Sequence, residues 1–491
     1  MNERYFPLEW RERLIAALPD ETSTHGNTPQ AGHLYLPATH AKALHPDTML
    51  VEGMRGSGKS FWCAALQDPK LRALIGARFG IDAQTRVSVG FSEDPPEGIP
   101  GRDTLEVLLN RDKIKARVIW RTVVFKLVVA EQAPETFQKL GFWKERIAWV
   151  LDHPEQVDQA FIQADRQLVQ EGRYHLVLFD ALDRIANDWP SMNALVKGIL
   201  QVVLDFRVYR RIRLKVFARP DQLLDPSVSA FPDASKVVTS RVSLQWPRTE
   251  MYGLLWQYLG NDPELGGEFR QASMQELMSG AVPWKEQEGV WLVPEPLRRY
   301  EEIQKRLFHR MTGPWMGKDQ RRGFPYSWLF GHLADMHGQV TPRSFLAALR
   351  CAASIPSRDG QEYLLHYESI KTGVQEASKI RVAELKEDYP WINSVLKPLF
   401  GMVVPCSFQE IKDVWSANNV LGRLRDEIQS ENVKLPPRES TPEGIMEHLE
   451  QLGLMERLRD RRFNMPDVYR VGYGLGRRGG VKPVNRKIQA E

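Results

Sequence analysis

The chain has 491 residues, 42% hydrophobic and 26% charged, an ordinary soluble composition with material for roughly two to four domains. With 66 basic and 62 acidic residues the formal net charge is only +4, so the total neither demands a nucleic-acid partner nor excludes one. Cys63, Cys351 and Cys406 lie far apart without C-x-x-C spacing, which argues for a reducing compartment and against a zinc site.

Met1–Trp10 mixes Glu3, Arg4 and Glu9 with apolar residues, so no signal region is expected. The apolar runs are strand-sized or broken by charge, as Lys126 breaks Val123–Ala130, so no membrane span is expected and the location is cytoplasmic. Trp10–Leu18 has helical spacing, and the polar, turn-rich Asp20–Gly32 follows it as a linker. Leu34 to Pro46 then leads into the first strand, with Tyr35, Leu36 and Leu44 read either as neighbours of a nucleotide base or simply as core.

The stretch Met49-Leu50-Val51-Glu52-Gly53-Met54-Arg55-Gly56-Ser57-Gly58-Lys59-Ser60 organises the rest. It predicts a strand, a glycine-rich turn and a helix start, with Gly53, Gly58, Lys59 and Ser60 on the G-x-x-x-x-G-K-[ST] spacing. Glycines let successive N–H groups point at one anion, and the helix begins with its positive dipole end at the same place. The loop residues Gly53, Arg55, Gly56, Ser57 and Gly58, with Phe61 beside them, are therefore read as nucleotide-binding. Lys59 can reach the β- and γ-phosphates, and the Ser60 hydroxyl can hold Mg²⁺. ATP is expected by elimination: the N-K-x-D element that reads guanine is absent, and Asn110-Arg111-Asp112-Lys113 does not reproduce it.

Arg86–Phe91 alternates and is β-rich, a second strand. A mostly helical insertion at about 92–170 follows, including Asp103–Ala130 and Glu155–Gln170. His175–Phe179 is an apolar strand that delivers Asp180 at its carboxyl end, where a carboxylate binds Mg²⁺ through water. Asp183 can polarise the attacking water. Leu214–Ala218 is a third buried strand ending in Arg219, read as a sensor of the γ-phosphate, or as a simple partner of Asp221. Val237–Trp246 is expected as a further strand, closed by Pro247, with a helix over Met251–Leu259.

From there to about residue 385 the pattern is helical, with a loop-rich interval at Gly280–Pro296. Thr341 and Pro342 predict a cap and first position of a helix, placing Arg343 in the first turn against the dipole preference. Arg343 is read as a nucleotide contact from a helical lid, or as an ordinary salt bridge. In Trp391–Arg470, Val395–Phe400, Phe408–Trp415 and the helix from Thr441 to Gly453 precede a hairpin of Leu454–Leu458 and Val468–Val471, a winged-helix pattern. The last helix carries Glu443, Glu447 and Glu450, which phosphates would repel, whereas the hairpin carries Arg457, Arg459, Arg461 and Arg462. The tail adds Arg477, Arg478, Lys482, Arg486 and Lys487.

Gly53–Ser60, Asp180-Ala181-Leu182-Asp183 and Arg219 together resemble the STAND class of P-loop ATPases, relatives of AAA+ proteins. The resemblance is at motif level over 48–246 and architectural over 247–470; Arg184 departs from it, standing where that class more usually has an acid. It implies an α/β P-loop core with a mostly parallel sheet, a helical lid and a winged-helix domain, with Arg343 at a second-sensor position. The expected division is a lead-in over 1–47, the ATPase core over 48–246, a lid over 247–385, a winged-helix-like domain over 386–475 and a basic tail over 476–491. The function it implies is a Mg²⁺-dependent ATPase switch that forms homo-oligomers and controls a separate sensor or effector protein, in bacterial signalling or antiviral defence. The alternative is a DNA-associated AAA+-like ATPase that holds DNA through wing and tail. A small-molecule kinase is the weaker third reading.

Overall fold

Five apolar segments form one sheet: β1 (Leu50–Glu52), β2 (Arg86–Phe91), β3 (His175–Phe179), β4 (Ile212–Ala218) and β5 (Val242–Ser243). Their order is β2-β3-β4-β1-β5, and every pairing is parallel. Parallel strands covered on both faces read as continuous apolar runs. All of β3 is buried, and in β4 only Arg213 is partly exposed. The structure, a computed structural model, describes every residue except 1–4, 21–27, 77–79, 95, 130–131, 224, 278–281, 430–435, 480 and 484–491. Arg486 and Lys487 of the basic tail therefore lie outside the described residues.

The chain divides into two units, one built on Leu36–Gln245 and the other on Trp246–Glu491 together with N-terminal segments that include Gln30–Tyr35. In the first, helices Lys59–Gln67, Ala116–Val129 and Trp189–Asp205 cover the sheet with buried Trp62, Leu66, Trp120, Val123, Leu195 and Ile199. Trp120 meets Phe179 edge-on at 5.6 Å and donates its indole N–H to the Leu195 carbonyl at 2.9 Å. The insertion holds itself together through Phe125, Phe137, Trp149 and Phe161, whose ring centroids approach to 4.9–5.9 Å. Lys215, buried in mid-β4, donates to the carbonyls of Ala43, His45 and Thr48 at 2.7, 3.0 and 2.6 Å and so ties the lead-in to the sheet. Burial pulls its pKa down to about 7.

The strand expected over Val237–Trp246 is shorter. Ala234–Val238 is helical, with Ala234 and Val237 turned inward on helical spacing, and only Val242–Ser243 pairs with β1.

In the second unit, helices Trp10–Ala17, Arg248–Asn261, Glu301–Thr312, Pro325–Leu333, Pro342–Ser354 and Tyr367–Asp388 share one core, including Trp10, Tyr252, Trp256, Phe308, Phe345 and Val374. The N-terminal stretch expected as a single lead-in over 1–47 is thus divided: the Trp10–Ala17 helix belongs here, whereas Ala41–Leu44 belongs with the sheet. Tyr35 is buried in this unit against Glu250 and Arg298. Thr341 accepts from the Ser344 N–H and Pro342 occupies the first turn, the start the sequence predicts. The interval expected as loop holds a hairpin of β6 (Lys285–Gln287) and β7 (Val290–Leu292), turned by Glu288 and Gly289 at φ 50° and 76°.

Toward the end, helices Pro390–Leu396, Phe408–Ala417, Val420–Gln429 and Pro442–Gln451 precede a hairpin of β8 (Glu456–Arg457) and β9 (Phe463–Asn464). Cys406 and Phe463 exchange backbone hydrogen bonds at 3.0 and 2.7 Å, so the order is that of a winged helix. The second hairpin strand is not Val468–Val471: the chain turns back already at Leu458–Arg462, and Pro466 caps the buried helix Asp467–Arg470. Among the described residues no helix is long and apolar enough to cross a membrane.

Candidate nucleotide site

The strand order decides what meets at the carboxyl edge of the sheet. β4 lies between β3 and β1, with Phe179 in register with Val216 and Glu52 with Ala218. Asp180, Arg219 and the Gly53–Ser60 loop therefore emerge side by side, in the crevice where open parallel sheets bind ligands. The loop is shaped by its glycines. A Cβ on Gly53 would stand 2.4 Å from Ser57 Oγ, and Gly56 and Gly58 take φ of 78° and 101°, the left-handed region. Gly58 caps the Lys59–Gln67 helix, whose N-terminus faces the loop.

Lys59 Nζ donates to the loop's own carbonyls, Gly53 at 2.7 Å and Met54 at 3.0 Å. Burial lowers its pKa, opposed by the charges of Asp183 and Asp180. Asp180 is 4% exposed, and its Oδ1 has no hydrogen-bond partner among the described residues. Burial raises its pKa, against hydrogen bonding from the Ser60 hydroxyl and the charge of Lys59. Asp183 runs the other way. Burial pushes its carboxyl up, but the Arg219 guanidinium and then Lys59 outweigh that and hold its pKa below the usual value.

Arg219 sits between two carboxylates, Asp183 Oδ2 at 3.4 Å and Asp221 Oδ1 at 3.1 Å, and is 8% exposed. Of the two sequence readings of this arginine, the pairing with Asp221 is the contact observed. Arg184, the departure from the family pattern, pairs with Glu93. Arg55 is half-buried in the loop, and Phe61 meets Trp62 edge-on at 5.4 Å. Arg343 belongs to the other unit, where it bonds Glu384 at 2.5 Å, a carboxylate shared with Arg381.

One feature of the site has no signal in the sequence. Ala181, directly after Asp180, takes φ 55° and ψ 35°, a conformation that costs a non-glycine residue about 1–2 kcal/mol. It turns the chain so that Asp180 and Asp183 stay on the same edge. Among the described residues no three His, Cys, Asp or Glu gather as a metal cage. A hard cation here would therefore need phosphate oxygens and water beside Ser60 and Asp180, the usual mode for Mg²⁺. The unpartnered Asp180 Oδ1 and the open glycine cradle fit such a group.

No family model matches the chain, and no curated protein matches it. Among solved structures the chain is similar to the ORC2 protein of Aeropyrum pernix, determined as ADPNP–ADP complexes, at 15% identity and a TM-score of 0.35, over 92% of this chain and 91% of that one. It is also similar to the ORC1 protein of Aeropyrum pernix in complex with DNA, at 14% identity and a TM-score of 0.32, over 95% of each chain. At that degree of likeness the activity is read from this chain's own residues.

Proposed function

We propose that the chain is a P-loop ATPase of the AAA+-like kind that binds ATP with Mg²⁺ at the carboxyl edge of its sheet and hydrolyses it slowly. The observation that carries this is Asp180, a buried carboxylate with one oxygen unpartnered beside the Ser60 hydroxyl and the Lys59 ammonium. Such a group is costly to keep unless a cation or donor completes it. Ser60 and Asp180 would hold Mg²⁺, which when bound neutralises charge on the phosphate oxygens. Lys59 exchanges the Gly53 and Met54 carbonyls for phosphate. Asp183, kept ionised by Arg219, orients water and accepts its proton. Arg219 balances the charge that develops on the transferred phosphoryl group. Kinship with the STAND class rests on the sequence resemblance of Gly53–Ser60, Asp180–Asp183 and Arg219, with the order of the domains that follow.

Binding of a fluorescent ATP analogue and phosphate release test this. Lys59→Ala should abolish binding, and Asp183→Asn should keep binding while turnover falls about a hundredfold. Unchanged turnover in Lys59→Ala would sink the reading.

What the ATPase acts on has two readings, each with its own support. For DNA stand Arg459 and Arg461 at the tip of the β8–β9 turn, exposed and with no acidic partner placed among the described residues. For a protein partner stands the Pro442–Gln451 helix, where Glu443, Glu447 and Glu450 line a cavity of about 480 Å³ with Phe408 and Met446. Homo-oligomerisation driven by ATP belongs to either.

A further inference from the structure

The second unit carries a cavity of about 500 Å³, within the ordinary size of small-ligand sites, at the end of the Pro325–Leu333 helix and against the base of the β8–β9 hairpin. Its wall includes Phe324, Trp328, His332, Asp335, Glu456 and Asp467. The residue of interest is Asp335, 6% exposed. Its Oδ1 accepts the N–H groups of His337 and Gln339 at 2.9 and 2.8 Å, fixing the turn after the helix. Its Oδ2 has no hydrogen-bond partner among the described residues. Burial pushes this carboxyl's pKa up.

The other carboxylates of the wall are provided for. Asp467 has Arg470 Nε at 2.7 Å, Arg477 Nη1 at 3.4 Å and His332 Nε2 at 3.6 Å. Glu456 accepts from Asn464 Nδ2 at 3.2 Å. Burial lowers the pKa of His332, so its ring is neutral and adds no charge. The lining holds the carboxylates Asp335, Glu456 and Asp467 against the one guanidinium of Arg477, so the cavity's wall is net negative. An anion is thereby disfavoured. A metal ion is not provided for either, since no three acidic or imidazole groups converge among the described residues.

We propose that this cavity is a binding site for a guanidinium group. A guanidinium offers several donors in one plane, so it can complete Asp335 while its face lies on aromatic surface, here that of Phe324 and Trp328. An ammonium would bring charge without the flat face. The site lies wholly within the second unit and is independent of the nucleotide reading.

The test is calorimetric titration of the full chain with N-acetyl-arginine amide, with its neutral citrulline counterpart and with a short arginine-bearing peptide. The arginine amide should bind with a Kd below about 1 mM. The citrulline compound, and the arginine amide on Asp335→Asn, should bind roughly tenfold or more weakly, the effect of losing one charge-assisted hydrogen bond. Asp335→Asn keeps the oxygen that accepts from His337 and Gln339; should it nevertheless unfold, the arginine-against-citrulline comparison on the natural chain decides alone. A peptide that binds far more tightly than the free amide identifies a protein's arginine as the source, and equal affinity identifies a small guanidino compound. No binding of either arginine probe, or equal affinity for arginine and citrulline compounds, overturns the proposal.

Discussion

Around the phosphate loop, single residues decide whether the backbone can take its shape. Gly53 cannot carry a side chain, because a Cβ would collide with Ser57 Oγ at 2.4 Å, and Gly58 at φ 101° caps the helix that follows. Both positions were legible, since the spacing of glycines before Lys59 and Ser60 has a mechanical reason. Ala181 was not. Its left-handed φ of 55° would have been signalled by Gly or Asn, and alanine signals nothing. The strain gives a prediction. Ala181→Gly should raise stability by up to about 1 kcal/mol in urea unfolding, because relief of a left-handed alanine exceeds the entropy that glycine adds to the unfolded chain. A loss of stability would mean that the Ala181 methyl packs usefully. Gly53→Ala should act oppositely on function: the loop must open to make room, and nucleotide affinity should fall about tenfold or more in an equilibrium titration.

At the scale of elements, the apolar runs gave their strands away. Arg86–Phe91 and His175–Phe179 stand where the sequence predicts them, the first through its alternation and the second because burial of every residue makes it one continuous apolar run. The β6–β7 hairpin was hidden, since its turn is Glu-Gly rather than Asn-Gly or Asp-Gly and Lys285–Gln287 is exposed. Polar contacts beneath the sheet were equally hidden, and two of them make stability depend on pH. His40 accepts the Trp62 indole N–H at Nδ1, 3.1 Å, and lies 3.1 Å from the Gln245 carbonyl through Nε2, which fixes a neutral ring. His175 lies 2.9 Å from Ser88 Oγ. Burial lowers both to about 4, with Gln245 opposing the shift at His40 and Arg86 adding to it at His175. Between their unfolded value near 6.5 and about 4 the unfolded chain binds more protons than the native one, so stability is full above this window and falls as pH drops through it. The loss should reach up to roughly 3 kcal/mol per histidine at the acid limit. Urea midpoints measured from pH 7.5 to 4.5 check this, and His175→Gln should flatten the slope; an unchanged slope would remove His175 from the explanation.

The chain as a whole carries the Gly53–Ser60 loop in one unit and the β8–β9 hairpin in the other, and its sequence says less about what the second unit meets than about the loop. The N-terminal helix was assigned to neither unit, because Trp10 and Leu14 reveal a buried face without revealing its partner, which is a core built from residues beyond Trp246. The choice between DNA and protein turns on charge. Arg457 is held by Glu450 at 2.9 Å and Arg462 by Asp460 at 2.7 Å, which leaves Arg459 and Arg461 as the wing's cations open to phosphate. The helix beside them exposes Glu443 and Glu447, its third glutamate being the one that holds Arg457. If DNA is the partner and only the wing tip grips it, Arg459→Ala with Arg461→Ala should weaken duplex binding and reduce the slope of log affinity against log salt by about 2. Glu443→Lys with Glu447→Lys should then strengthen binding, because charges that repel the backbone become charges that attract it. If the acidic face docks a basic protein surface, the same reversal should abolish that complex while ATP-dependent mass, measured by light scattering, stays as in the natural chain. Duplex binding that neither pair of substitutions alters would place any DNA contact outside the winged-helix region altogether.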